Sequence, residues 1–224
     1  MAKKNKEISS SNLIKVKPIT EGQKSVFETW KKGQNQFLFG CAGTGKTFIS
    51  LYLAMQDVLD LKTKYDKVIL VRSLIPTREI GFLPGDEEDK AALYQVPYQN
   101  MVKFMFEQPN EQAFNMLYDR LKNQGSLYFL STSFLRGLTF DNSIIIVDEC
   151  QNLNFHELDT ITTRVGQDSK IVFCGDFSQT DLVKQNEKNG LHDFLRILME
   201  MQEFNCIEFN IGDIVRSGFV RNYL

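Results

Sequence analysis

Two stretches of this sequence carry residues whose types and spacing could bind and split a phosphorylated ligand. The first is GCAGTGKT, which begins at Gly40 and has the spacing G-x-x-x-x-G-K-[ST]. Glycines at these positions let successive backbone N–H groups turn toward a phosphate, and the side chain of Lys46 can reach the outer phosphates. The hydroxyl of Thr47 can bind Mg²⁺. The pattern therefore predicts a P-loop for a nucleoside triphosphate.

The flanking residues distinguish a P-loop from a glycine-rich turn with an exposed lysine. Residues 37–39 form a short apolar run before the loop, as a buried parallel strand does, and apolar residues recur at helical spacing over residues 48–59. A helix that begins at the loop also directs its positive end at a bound anion. The predicted nucleotide-binding residues are Gly40, Cys41, Ala42, Gly43, Thr44, Gly45, Lys46, Thr47 and Phe48.

The second stretch is an apolar run that ends in two carboxylates. Residues 144–147 read IIIV and are followed by Asp148 and Glu149. At the carboxyl edge of a parallel sheet, Asp148 would bind Mg²⁺ and Glu149 would orient and polarise the attacking water. The alternative is an acidic pair on the surface. Because a P-loop needs a carboxylate partner of this kind, the two stretches together predict hydrolysis of ATP or GTP.

Two glutamines are further candidates for contact with the nucleotide. Gln179 follows the apolar run at residues 170–174 and could reach the γ-phosphate, although it could equally belong to a polar turn. Gln23 precedes the P-loop strand, and its carboxamide offers the donor and acceptor that match N6 and N7 of adenine. The alternative for Gln23 is a glutamine that faces solvent on a helix.

The elements that must position these residues follow from the apolar pattern. Strand-like runs lie at residues 37–39, 67–71, 127–130, 144–147, 170–174 and 206–209, and helical patterns lie between most of them. This alternation predicts an α/β domain with a mostly parallel sheet and helices on both faces. Residues 1–12 are rich in Lys, Asn and Ser and predict a disordered tail, so we expect a single domain over residues 13–224.

The composition restricts the class of protein. With 224 residues and 42% hydrophobic content, the chain can build one sizeable domain. A formal net charge of −2 gives no overall signature of nucleic-acid binding, so any such binding would use a local patch. The four cysteines include no C-x-x-C pair, and this predicts reduced thiols and no zinc site. No run of eighteen apolar residues occurs, so we expect a soluble, cytoplasmic protein with no membrane partner.

The motifs and their order resemble those of the PhoH-like ATPases, relatives of the superfamily 1 helicase core. The resemblance implies a RecA-like fold, ATP and Mg²⁺ as ligands, and coupling to RNA or single-stranded DNA. It further implies that Gln23 reads adenine, that Gln151 follows the catalytic acid and that Gln179 is the sensor. The matching stretches are GCAGTGKT, GFLPGD, FLRGLTF, VDECQN, TRVGQDSKIVFCGDFSQTDL and DIVRSGFV.

The resemblance is less complete in two places, and two other functions stay open. Ser73 stands where the family often has proline, and Ser217 and Gly218 replace the usual His-Pro. A small-molecule P-loop kinase would need a lid with arginines and an acceptor pocket, whereas Glu149 directly after Asp148 favours water as the acceptor. A nucleotide-regulated module that binds another protein and hydrolyses slowly is the other alternative.

The resemblance also implies an arginine that stabilises charge on the transferred phosphate. Helicase relatives supply this arginine from a second RecA-like domain, for which 224 residues are too few. We therefore expect a neighbouring copy to supply it in a ring, and analogy with RecA-like rings suggests a hexamer. Arg216 is the first candidate and Arg164 the second. The alternative for each is a salt bridge within its own subunit.

Overall fold

A single parallel sheet organises the structure, a computed structural model that describes residues 6–72, 87–132, 135, 137–177 and 185–216. The six strands pair in the order β3-β2-β4-β5-β1-β6, and every pair is parallel. The sheet predicted from the apolar runs is therefore confirmed. The strands are β1 (Asn35–Gly40), β2 (Lys67–Arg72), β3 (Leu127–Ser131), β4 (Ser143–Val147), β5 (Lys170–Gly175) and β6 (Phe204–Phe209).

The central strands are buried on both faces, which explains their sequences. All residues of β4 and β5 are buried, and β4 reads SIIIV. A strand covered by helices on both sides needs apolar side chains in both directions, and β-branched residues suit such a strand. Alternate residues consequently enter different cores: Ile144 and Ile146 pack on one side of the sheet, and Ile145 and Val147 on the other.

Helices cover both faces of the sheet, as the sequence predicted. Residues of the first four helices share a core with Ile144, and residues of the last two share a core with Ile145. Crossover connections between parallel strands place helices in this way. The helices are α1 (Glu21–Lys31), α2 (Lys46–Leu59), α3 (Glu87–Phe106), α4 (Glu111–Asn123), α5 (Phe155–Thr162) and α6 (Gln185–Glu200).

Helix α1 begins after a capping residue, Thr20. The side chain of Thr20 accepts a hydrogen bond from the backbone N–H of Gln23, which satisfies one of the free donors of the first turn. Val26 and Trp30, four positions apart, are buried on one face of the helix. This packing holds α1 next to the P-loop helix α2.

For residues 6–12, the part of the predicted disordered tail that the structure describes, the contacts differ from that prediction. From Lys6 onward the chain packs on the domain: Ile8 is buried, and the Lys6 ammonium donates to the carbonyls of Val58 and Asp66. Residues Ser10–Asn12 form a 3₁₀ turn. The polar composition suggested disorder, but Ile8 packs in the core and the two hydrogen bonds of Lys6 tie the segment to the domain.

Helices α3 and α4 lengthen the crossover between β2 and β3. Their buried residues, including Val102 and Leu121, join the core on the P-loop side of the sheet. The GFLPGD stretch that precedes α3 lies outside the described residues. None of the helices in the part of the chain that the structure describes combines the length and apolar content that spanning a bilayer requires.

Candidate nucleotide-binding site

The loop between β1 and α2 has the backbone geometry that its glycines predict. Gly40 has φ 110°, and a Cβ atom there would stand 2.1 Å from the carbonyl oxygen of Phe209 in the neighbouring strand β6. Gly45 has φ 85° and immediately precedes the first residue of α2. Gly40 is required by its positive φ and by the close approach of Phe209, and Gly45 is favoured by its left-handed conformation. The loop therefore curls tightly at the carboxyl edge of the sheet.

Lys46 turns its side chain back into this loop. Its ammonium donates to the carbonyls of Gly40 at 2.9 Å and Cys41 at 2.7 Å, and only 8% of the residue is exposed. Burial lowers the pKa of Lys46, while Cys174, Asp176 and other nearby groups oppose that change. The lysine is thus held inside the loop that is predicted to bind phosphates.

Thr47 and Asp148, the two predicted metal ligands, are in direct contact. The Thr47 hydroxyl donates to Oδ1 of Asp148 at 2.6 Å, although the two residues are 101 positions apart in the sequence. Mg²⁺ prefers oxygen ligands and is usually held by one or two carboxylates together with phosphates and water. A hydroxyl and a carboxylate side by side fit that ion. No cluster of three or more His, Cys, Asp or Glu able to hold a metal occurs among the residues described.

Glu149 is held in an unusual backbone conformation next to Asp148. Its φ is 52°, and its carboxylate accepts a hydrogen bond of 2.5 Å from the amide of Gln151. The carbonyl oxygen of the same amide accepts from the backbone N–H of Asp176 at 3.1 Å. Burial raises the pKa of Glu149, and the neighbouring Asp148 raises it further. Gln151 therefore links the predicted general base to the turn that follows β5.

Gln23 is buried beside the P-loop and does not face solvent. Only 4% of the residue is exposed. Its Oε1 accepts a hydrogen bond from the backbone N–H of Ile19 at 2.9 Å, and its Nε2 donates to the carbonyl of Thr44 at 3.1 Å. The amide thus ties the start of α1 to the phosphate loop, and a base-reading role would have to use the remaining donor and acceptor capacity.

The two predicted arginines lie in different places. Arg216 lines a cavity at the P-loop, and its side chain packs against Gly43 in the P-loop of its own chain. Arg164 donates to the carbonyl of Leu138 and to the Thr163 hydroxyl, in a segment that runs beside the amino ends of β4 and β5. The P-loop lies at the opposite, carboxyl edge of the sheet. The structure therefore brings Arg216, and not Arg164, to the site of its own chain.

A cavity of about 660 Å³ at this edge is lined by most of the predicted residues that the structure describes, but not by Gly40 and Cys41. Its size is that of pockets for small-molecule ligands and cofactors. Gln179 lies outside the described residues. The cavity is lined, among others, by Gln23, the P-loop residues 42–48, Arg72, Tyr98, Asp148, Glu149, Asp176 and Arg216.

Two lining residues, Arg72 and Tyr98, were missed as site residues by sequence reasoning. Arg72 is the last residue of β2, so its position at the carboxyl edge of a predicted strand was a usable signal. Tyr98 lies on α3, and its hydroxyl donates to Oδ2 of Asp148 at 2.7 Å. The sequence offered no signal for this contact, because core packing is the usual role of an aromatic residue on an amphipathic helix.

Comparison with protein families gives a match over nearly the whole chain. A family model described as "PhoH-like protein" matches residues 15–224. A PhoH-like protein of Synechocystis is 32% identical over 207 residues, which are 92% of this chain and 60% of the relative. Protein PhoH2 of Bacillus subtilis is 36% identical over 145 residues, which are 64% of this chain and 32% of the relative. The matched part of the chain therefore covers less than two thirds of each of these relatives.

Solved structures share the fold. The large terminase of a thermophilic bacteriophage matches with a TM-score of 0.53 and 12% identity, over 92% of this chain and 50% of the terminase. Another crystal form of that terminase, in complex with ADP, matches with a TM-score of 0.51. At this identity the likeness concerns the fold alone. The RecA-like P-loop NTPase fold predicted from the sequence is confirmed.

Proposed function

The chain belongs to the PhoH family, and from this premise we propose that it is a Mg²⁺-dependent ATPase whose site is the cavity around the P-loop. One observation carries the proposal: Lys46, the Thr47–Asp148 pair and Glu149 converge on the same cavity. These are a cation for the phosphates, oxygen ligands for Mg²⁺ and a base for water, which are the parts that phosphoryl transfer to water needs. The ADP complex of the terminase supports a nucleotide ligand.

Each residue has a role that its contacts support. The backbone N–H groups of the loop and the ammonium of Lys46 bind the phosphates. Thr47 and Asp148 would hold Mg²⁺, which supplies positive charge against the phosphate oxygens when bound. Glu149 orients the attacking water and accepts its proton, and its hydrogen bond to Gln151 restricts the carboxylate to one orientation. Gln179 would complete the site as the sensor of the γ-phosphate.

The proposal includes adenine as the base. Gln23 lines the cavity while its amide also bonds Ile19 and Thr44. One N–H of the amide and one acceptor position of its oxygen can still meet a base edge. ATP is therefore the proposed substrate.

We further propose that hydrolysis is coupled to binding of RNA or single-stranded DNA. The support is the resemblance of the motifs to the helicase core. The formal net charge of −2 means that a polynucleotide would bind at a local basic surface and not through the charge of the whole domain. Affinity for a polynucleotide should then fall with salt, because phosphate contacts release counterions.

The assembly that we propose is a ring, with a hexamer suggested by analogy with RecA-like rings. In a ring, an arginine far from the cavity of its own chain could reach the cavity of the next copy. Arg164 has that location, and its Nε atom is buried without a hydrogen-bond partner among the described residues. The position of Arg216 beside its own P-loop instead favours a role within one chain.

The test is the rate of ATP hydrolysis with Mg²⁺, measured alone and with RNA, single-stranded DNA or duplex DNA at stated salt concentrations. We expect hydrolysis that requires Mg²⁺ and that RNA or single-stranded DNA accelerates. The Lys46→Ala variant is the control and should be inactive, because the phosphates lose their cation. Activity in that variant would refute the proposed site. Slow hydrolysis unaffected by any polynucleotide would favour a nucleotide-regulated protein-binding module, and phosphate transfer to a small molecule would favour a kinase.

A further inference from the structure

The carboxylate of Asp148 is held from two sides by donors on different helices. Thr47, on α2, donates to Oδ1 at 2.6 Å, and Tyr98, on α3, donates to Oδ2 at 2.7 Å. Each oxygen of the carboxylate thus has its own hydroxyl donor. The backbone N–H of Asp148 also donates to the carbonyl of Val71 at 2.9 Å, which fixes the backbone from which the side chain extends.

Tyr98 is buried in a way that fixes its hydroxyl. Only 2% of the residue is exposed, and its ring lies 5.7 Å from the ring of Phe129 on β3. Burial raises the pKa of Tyr98 well above its usual value, and Asp148 raises it further. The phenol is therefore protonated at neutral pH and acts as a donor. A rigid ring with a protonated hydroxyl can hold a carboxylate in one orientation.

Arg72 is a second charged group near Tyr98. Its positive charge opposes the rise in the pKa of the phenol, and its Cζ atom lies 5.7 Å from the ring centroid of Tyr94, also on α3. Arg72 follows Val71 at the end of β2, next to the strand that carries Asp148. The phenol therefore contacts a carboxylate and has a cation nearby, so a shift of α3 would change the surroundings of Asp148.

We propose that Tyr98 is a positioning residue of the metal site. Its hydroxyl holds the Asp148 carboxylate so that Oδ1 is directed at Thr47. The affinity for Mg²⁺ therefore depends on the position of α3, the helix that carries Tyr98. This inference deepens the proposed function and rests on it. Partners that hydrogen-bond to metal-binding carboxylates orient them, and loss of such a partner typically lowers metal affinity about 10- to 100-fold. Tyr98 would act through Asp148 without touching the metal ion or the nucleotide.

The experiment measures binding and not turnover. A fluorescent, non-hydrolysable ATP analogue is bound to the wild-type chain and to Tyr98→Phe, first in EDTA and then over a series of Mg²⁺ concentrations. We expect the variant to bind the analogue as the wild type does in EDTA, because the phosphate loop is intact. The Mg²⁺ concentration that gives half of the metal-dependent gain in affinity should rise about 10-fold.

Tyr118→Phe is the matched control. Tyr118, on α4, is also a buried tyrosine, and it is not among the residues that line the cavity. We expect this variant to keep the Mg²⁺ dependence of the wild type, even if its melting temperature falls as much as that of Tyr98→Phe. In the Asp148→Asn background, Tyr98→Phe should have no further effect, because the two residues act as one unit.

Four results would overturn the inference or the proposed function on which it rests. A Tyr98→Phe variant with the Mg²⁺ dependence of the wild type would show that the hydroxyl has only a structural role. An equal loss of affinity with and without Mg²⁺ would place the effect on the phosphate loop. A wild-type chain that binds the analogue equally in EDTA and Mg²⁺ would refute the metal site itself, and one that binds no analogue would refute the proposed function.

Discussion

The side chain of Arg216 packs against Gly43 in the P-loop of its own chain. A Cβ atom on Gly43 would stand 2.8 Å from Cγ of Arg216, and the backbone N–H of Val215 donates to the carbonyl of Gly43 at 3.1 Å. Gly43 has φ 74°, so the backbone conformation and the approaching side chain both require glycine there. The segment after β6 is therefore part of the proposed phosphate-binding site.

The first prediction is that Arg216→Ala lowers the catalytic rate of ATP hydrolysis about 100-fold, the typical loss for one group that stabilises transition-state charge. Steady-state kinetics would give kcat and KM separately, with Arg216→Lys as the comparison that retains a cation. A rise in KM alone, with kcat unchanged, would instead assign Arg216 to ground-state nucleotide binding.

The second prediction concerns Glu149. The Glu149→Gln variant should bind ATP with the affinity of the wild type but hydrolyse it at least about 100-fold more slowly, because the water loses its general base. Binding of a fluorescent nucleotide and single-turnover hydrolysis would separate the two effects. Hydrolysis at the wild-type rate would move the general base elsewhere, and Asp176 would be the next candidate because it also lines the cavity.

The third prediction follows from the two hydrogen bonds of Gln23. The Gln23→Ala variant should raise KM for ATP, since the carbonyl of Thr44 and the N–H of Ile19 both lose their partner. Comparison with GTP shows which role dominates. An increase confined to ATP would assign base reading to Gln23, as the sequence predicted, whereas equal increases for both nucleotides would assign positioning of the P-loop.

The sequence predicted those parts of the site that strands carry to one edge of the sheet. Thr47 and Asp148 meet because each follows a parallel strand closely, and carboxyl ends of parallel strands share an edge. The contact of Arg216 with Gly43 depended on the pairing of β6 with β1, and sequence patterns do not give strand order. The contact of Tyr98 with Asp148 depended on where a long crossover lies over the sheet, which helical periodicity leaves open.

The fourth prediction is that a buried lysine makes stability depend on pH. Lys170 is 2% exposed, its Nζ atom lies 4.1 Å from the ring centroid of Trp30, and Trp30 donates from its indole to Asp57. Burial lowers the pKa of Lys170 to about 8, while Asp57 opposes this change. In the unfolded chain the pKa of this lysine is about 10.4. At pH values between these two pKa values, Lys170 is protonated to a greater extent in the unfolded state than in the folded state. The free energy of unfolding therefore rises with pH in this range.

The measurement is the free energy of unfolding of the wild type and of Lys170→Met at several pH values between about 7.5 and 10, the window set by these pKa values. We expect the wild type to gain about 1 to 3 kcal/mol relative to the variant across this range, since one pKa unit corresponds to about 1.4 kcal/mol. The exposed Lys24, replaced by Met, serves as the control and should show no such trend. A constant difference between wild type and Lys170→Met would contradict the prediction.

The last prediction separates an arginine that acts within one chain from one that acts between chains. Arg164 lies beside the amino ends of β4 and β5, whereas Arg216 lies at the P-loop at the carboxyl edge. In the proposed ring, an Arg164→Ala subunit has an intact P-loop, and a Lys46→Ala neighbour still offers its own Arg164. Each variant alone should be inactive, and mixing the two should restore part of the ATPase activity.

Mixing Arg216→Ala with Lys46→Ala should restore no activity, because Arg216 is expected to act in its own chain. Full activity of Arg164→Ala alone, or a monomeric mass in the presence of ATP, would refute donation across an interface.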